Sequence, residues 1–399
     1  MNTAPSTGCN YRWYPSADRG YQNREWVVRS EAPYWTHSCG IITYEQANII
    51  NAFRFYAIKL AYLLRFYIIE SITGLGDRQF TANEIKKIPL EESNLPNLAA
   101  DLSPLSLAYV TELISLIDGM LSGDEAKSDE SVRRLYELSD ENARTLAQLS
   151  PYWDEEEWRN LFYRFNRDLI AEVISIKSGD YSEALNIFET LMRVSLEEGD
   201  YYAQGFIHSL PEDQPKIPIA YFNMIKDLRS LGMERAYLTR FYIVAKILEL
   251  YDENIVTETF FRLISRTKEK FELIFGTEIA EELVRFLSLY VIKVEGVIDA
   301  ILSGDSATME TKSREVDEFI NSFASFFARI NPYWDEAKWK ELFSLTAALI
   351  IEQSADFHNK EYKKALHNFQ NFMFSTFMID DYFAYGLYQF TQSQNALSV

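Results

Sequence analysis

Ser150-Pro151-Tyr152-Trp153-Asp154-Glu155 recurs as Asn331-Pro332-Tyr333-Trp334-Asp335-Glu336, and each copy is followed by a second tryptophan, Trp158 and Trp339. The offset is 181 residues. It also aligns Leu121-Ser122-Gly123-Asp124 with Leu302-Ser303-Gly304-Asp305, and Asp200-Tyr201 with Asp381-Tyr382. Ala203 and Gly205 fall on Ala384 and Gly386. Over residues 104–207 the two copies share roughly 30% identity, which marks a repeat unit. Upstream, Ala61-Tyr62-Leu63 and Arg65-Phe66-Tyr67-Ile68 match Ala236-Tyr237-Leu238 and Arg240-Phe241-Tyr242-Ile243 at an offset of 175. One loop therefore differs by six residues. The repeat predicts a tandem duplication: an arm over 1–40, one repeat over 41–210, a linker over 211–217, a second repeat over 218–391 and a tail over 392–399.

The fold class follows from what punctuates these repeats. Gly (15) and Pro (11) are scarce in 399 residues, so few breakers interrupt long helices. Ile58, Ala61, Ile68, Ile69 and Ile72 share one helical stripe, as do Met233, Ala236, Ile243, Val244 and Ile247. The first repeat reads as four helices, over 44–72, 105–121, 129–149 and 154–207, with an irregular piece over 80–102 that carries Pro89 and Pro96. Gly179-Asp180 predicts a break in the last; His358-Asn359-Lys360 stands there in the second repeat. The expectation is an all-α protein of two tandem up-down four-helix bundles.

The motif itself has a mechanical reading. Pro151 and Pro332 end a helix, Asp154 and Asp335 cap the next, and Trp153, Trp158, Trp334 and Trp339 plug the bundle end. Asp154 with Glu157 reads as an acidic capping box; Lys338 leaves only half of it in the second copy. Arg65 and Arg240 lie mid-stripe among apolar residues and so must be paired. The carboxylates available late in each repeat are Asp200 and Glu172 for Arg65, and Asp381 and Glu352 for Arg240. The expectation is two buried ion pairs fixing helix register, with a small-anion site as the alternative.

Chemistry beyond packing finds little support. The net charge of −20 disfavours nucleic-acid partners and anionic membranes. Cys9 and Cys39 form no metal-binding CxxC, and none of the four His lies three residues after a Glu, so neither a metal nor a cofactor is expected. No Gly-x-Ser-x-Gly or phosphate-cradling loop is present. The stretch 57–73 is too short and too charged to span a bilayer, and no signal peptide precedes it. A cytoplasmic location is expected. The arm is rich in Trp, Tyr and Arg, with net charge +1 against −21 for the remainder. Trp13, Trp26, Trp35, Cys9 and Cys39 are its candidate contact residues, to another protein or to a second copy of the chain.

The pattern Asn331-Pro332-Tyr333-Trp334 with Trp339, Arg65 and Arg240 in the first helices, and Asp200…Gly205 with Asp381…Gly386, resembles uncharacterised helical-bundle repeat proteins of spore-forming Firmicutes. The resemblance covers both repeats and not the arm. It implies a bundle fold and a bacterial, spore-associated origin. Such relatives often place His where this chain has approximately Leu60, Tyr109 and Phe165, and Arg235, Tyr290 and Thr346. The resemblance thus implies no metal here. The function expected is a non-enzymatic structural or interaction protein that assembles through its bundles and arm; the alternative is a bundle binding a metal or small anion through core Arg and carboxylates.

Overall fold

Helix ends fall where the chain supplies caps. The computed structural model describes residues 40–93, 102–208, 210, 215–248 and 253–397. The arm residues Cys9, Trp13, Trp26, Trp35 and Cys39 lie outside them. Among the described residues the protein is all-α, with twelve helices packed in antiparallel pairs and one two-stranded ribbon. The chain divides into two compact units, Met1–Phe222 and Asn223–Val399.

Unit 1 opens with β1 (Ile41–Thr43) and α1 (Tyr44–Thr73). Thr43 and Gln46 form a reciprocal capping box, and Gly74 closes the helix at φ 68°. Then come α2 (Arg78–Ser93), α3 (Leu102–Ser122), α4 (Glu125–Leu149), α5 (Glu155–Ser178) and α6 (Tyr181–Ile207). β2 (Lys216–Pro218) returns antiparallel to β1, with Ile42 opposite Ile217. α1 packs on α6 and α2, α3 on α4, and α5 on α4 and α6. The Leu-Ser-Gly-Asp motif is a helix junction: Gly123 takes φ 74° and Asp124 caps α4.

Unit 1 thus has six helices where four were expected. The piece 80–102, read as irregular, begins as α2, which runs through Pro89. Ala82, Ile85 and Ile88 bury one face, and this burial outweighs the proline near the helix end. The segment 154–207 is two helices. Gly179 at φ 79° ends α5, and Asp180 caps α6.

Unit 2 holds most of α7 (Ile219–Leu248), then α8 (Glu253–Phe275), α9 (Thr277–Leu302), α10 (Ser306–Ile330), α11 (Glu336–His358) and α12 (Tyr362–Leu397). α9 packs on α8, α10 and α11, and α11 packs on α12. Its α11–α12 turn places Lys360 at φ 61°, a left-handed conformation unusual for a residue with a Cβ. One stretch in unit 1, Pro104–Ser122 of α3, is long and apolar enough to cross a membrane; it packs on α4 and α2.

Candidate functional site

The tryptophan motif is one interlocked device. Trp158 and Trp339 are fully buried. Trp153 Nε1 donates to the Tyr201 carbonyl at 2.8 Å, and Trp334 Nε1 to the Tyr382 carbonyl at 3.3 Å. A Cβ on Gly205 would overlap the Trp153 ring, and one on Gly386 the Trp334 ring. Each glycine therefore makes room for the first tryptophan of its motif. Asp154 accepts from the Glu156 and Glu157 amides, and Asp335 from the Lys338 amide. The reciprocal half of the expected capping box is replaced. The Asp154 amide donates to the Tyr201 hydroxyl at 2.6 Å, and the Asp335 amide to the Tyr382 hydroxyl at 2.6 Å. Pro151 and Pro332 sit in the turns that follow α4 and α10.

Of the carboxylates expected to pair with Arg65 and Arg240, Glu172 does so, and Asp200, Asp381 and Glu352 do not. Arg65 is fully buried and pairs with Glu172 of α5, with a further bond to the Ala184 carbonyl at 3.2 Å. Burial pushes the Glu172 carboxyl up to about 7, against the pull of Arg65. Asp200 pairs instead with Arg54 at 2.6 Å, because about three turns of α1 separate Arg54 from Arg65. In unit 2 Arg240 donates to Gln353 Oε1 at 3.0 Å and to the Ala365 carbonyl at 3.2 Å. Gln353, not Glu352, faces it. Asp381 takes a bidentate bond from Arg229, at 2.7 and 2.6 Å. Arg54 and Arg229 were missed in the sequence, although the offset of 175 joins them.

The site with spare chemistry lies inside unit 1. A cavity of about 50 Å³ sits among α1, α2, α3, α4, α5 and α6, walled by Phe53, Leu60, Val110 and Phe162. Glu92 and Glu198 both line it. Burial, then the Glu198 charge, then Glu91 raise the Glu92 carboxyl to about 8, with Lys59 opposing. Burial raises Glu198 to about 7. Lys59 is itself paired with Glu91. Asn142, 3% exposed, also lines the cavity. Its Nδ2 donates to the Leu138 carbonyl at 2.8 Å, which leaves the amide oxygen without a protein donor among the described residues. The Tyr109 hydroxyl donates to Asn166 Oδ1 at 2.7 Å. Of these cavity residues the sequence drew attention only to Leu60 and Tyr109, as positions where the resembling proteins place His.

Among the described residues, no group of three or more His, Cys, Asp or Glu side chains is arranged to hold a metal. No family model, curated protein or solved structure matches the chain.

Proposed function

We propose that this is a non-enzymatic structural and interaction protein, built by tandem duplication of one helical unit and assembling with protein partners, including copies of itself, through its N-terminal arm. The observation that supports the reading most is which contacts recur at the two offsets. Trp153 and Trp334, Tyr201 and Tyr382, Arg54 and Arg229, and Arg65 and Arg240 hold equivalent bonds in the two units. Tyr67 donates to Asp118 and Tyr242 to Asp299 in the same relation. All of these bonds tie one helix to another. What the duplication preserved is packing hardware, which suits a scaffold.

The arm reading is tested in the full chain by replacing Trp13, Trp26 and Trp35 with alanine and measuring mass by light scattering. A drop from oligomer to monomer with unchanged helicity is the expected outcome; an unchanged mass at low and high salt sinks it. The alternative, a small-anion site on the core arginines, is weaker. Arg65 and Arg240 are engaged by a carboxylate, an amide oxygen and carbonyls, all of which compete with an anion.

A further inference from the structure

We propose that the unit 1 cavity binds a small organic cation, a guanidinium or primary-ammonium headgroup, held by the Glu92 and Glu198 carboxylates and the Asn142 amide oxygen. The ligand class rests on the reading of the two units as copies.

Three independent observations carry it. The first is the donor set. Two carboxylates and an amide oxygen are acceptors, and the nearest lysine, Lys59, is committed to Glu91. Glu92 and Glu198 are half-buried and Asn142 is buried, so acceptors gather on one space and favour a guest rich in donors. The second is the wall. Tyr56, Phe53, Phe162 and Tyr202 line the same space, and ring faces attract organic cations. Only two carboxylates line it, and no group of three or more His, Cys, Asp or Glu among the described residues is arranged to hold a metal. The volume admits roughly three or four water-sized groups, the size of a planar guanidinium.

The third comes from unit 2, which carries a cation of its own at the corresponding place. At the offset of 175, Leu60 becomes Arg235; at 181, Gly199 becomes Asp380 and Tyr109 becomes Tyr290. Arg235 Nη2 donates to Asp380 Oδ1 at 3.2 Å. It lies near enough to Tyr290 to oppose the burial that raises that hydroxyl. A cavity of about 10 Å³ lies beside Tyr290. Unit 2 thus sets a half-buried guanidinium against a buried carboxylate, and unit 1 presents carboxylates around open space.

Binding should strengthen with pH, because Glu92 and Glu198 must be ionised to hold a cation. The charged and titratable groups facing them are Lys59 and Tyr56 from α1, Glu91 from α2, Tyr109 from α3 and Tyr202 from α6. α5 contributes the apolar Phe162. None of the tyrosines is shifted toward neutral pH, so the two glutamates set the dependence.

The test is calorimetric titration of the full chain with millimolar methylguanidinium chloride, far below denaturing levels, at pH 6 and pH 8.5. Potassium and magnesium chloride at matched ionic strength are the controls. The expected result is saturable one-to-one binding, tighter at pH 8.5, with no specific heat from either metal ion. Glu198→Gln should weaken it by at least about tenfold, since a charged acceptor becomes neutral. Glu92→Gln is the second variant should the first misfold. Leu60→Arg, which imports the side chain of unit 2, should abolish binding. Absence of saturable binding at both pH values overturns the proposal, as does binding that both Gln variants retain. Preferential magnesium binding overturns it in favour of a metal site. Binding lost in the Gln variants but retained in Leu60→Arg supports the carboxylate site and overturns the equivalence of the two units.

Discussion

Unit 1 holds Asn142, Leu146, Glu198 and Tyr202 where, at the offset of 181, unit 2 holds Phe323, Phe327, Ile379 and Phe383. The aromatic set packs tightly. Phe323 stacks on Phe343 at 4.8 Å, Phe327 on Trp339 at 4.6 Å, and Phe383 lies 4.9 Å from Trp334. In unit 1 the same region holds a largely apolar cavity with Glu92, Glu198 and Asn142 on its lining. The same framework therefore tolerates either filling, because the bonds that set helix positions lie elsewhere: at the tryptophan device and at the arginine levels. The difference teaches that the scaffold is specified by its bolts and leaves the inner volume free to vary.

The sharpest way to break that view is at the Arg65 level. Glu172→Ala should destabilise unit 1 by about 3–5 kcal/mol, because it strands a buried cation. Glu172→Gln, which copies the Arg240–Gln353 arrangement, should cost about 1 kcal/mol or less. Hydrogen exchange of α5 amides reads both. Equal losses in the two variants would mean that the charge, and not the register, is what the site needs.

Next in size is the glycine that admits each tryptophan. Gly205→Ala and Gly386→Ala should each cost about 1–3 kcal/mol through overpacking against Trp153 and Trp334. Urea unfolding followed by tryptophan fluorescence tests this. A loss in one unit only would show that the devices are not equivalent.

The cavity itself should make unit 1 sensitive to pH. Glu92 and Glu198 bind protons more tightly folded than unfolded, with folded values of about 8 and about 7. Stability should therefore fall as pH rises from about 4.5 through 8, where the folded state must release protons it prefers to keep. Asp380, raised to about 7, and Glu172 add slopes of the same sign. The urea midpoint should be lower at pH 8.5 than at pH 5.5, and the double substitution Glu92→Gln, Glu198→Gln should flatten the difference. A midpoint that rises with pH would contradict the burial of these acids.

The smallest expected effect separates the two turns. Lys360→Gly should stabilise unit 2 by about 0.5–1 kcal/mol, and Gly179→Ala should destabilise unit 1 by about as much, since both positions have positive φ. Thermal unfolding of each variant checks the opposite signs.

Much of the fold was legible because its punctuation is local. Gly123-Asp124 and Gly179-Asp180 each stop one helix and start another, and Ser150-Pro151 stops α4 before Asp154 starts α5, by preferences that act within a few residues. α2 was not, because Pro89 argues for a break while the apolar face that overrules it acquires meaning only against a neighbour. At the candidate site, the burial of Arg65 and Arg240 was readable from their apolar flanks. Their partners were not, since the choice between Glu172 and Asp200 turns on which level of α1 faces which helix. The cavity left no local signature. Its residues converge from six helices spread over about 150 positions of the sequence, from Phe53 to Tyr202.

The small ribbon has a mechanical consequence. β1 and β2 pair antiparallel, Ile41 opposite Pro218 and Thr43 opposite Lys216, and the Ile219 amide donates to the Gly40 carbonyl at 2.9 Å. The chain enters and leaves this ladder at the same end. Tension applied between the arm and α7 would therefore load its hydrogen bonds one at a time, starting from Gly40 and Ile219, like the teeth of a zip. Once the ribbon opened, the pull would pass to the start of α1, where Gln46 Nε2 holds the Ile207 carbonyl at 3.0 Å. The clasp would yield at low force before any helix of unit 1 separated from its neighbours.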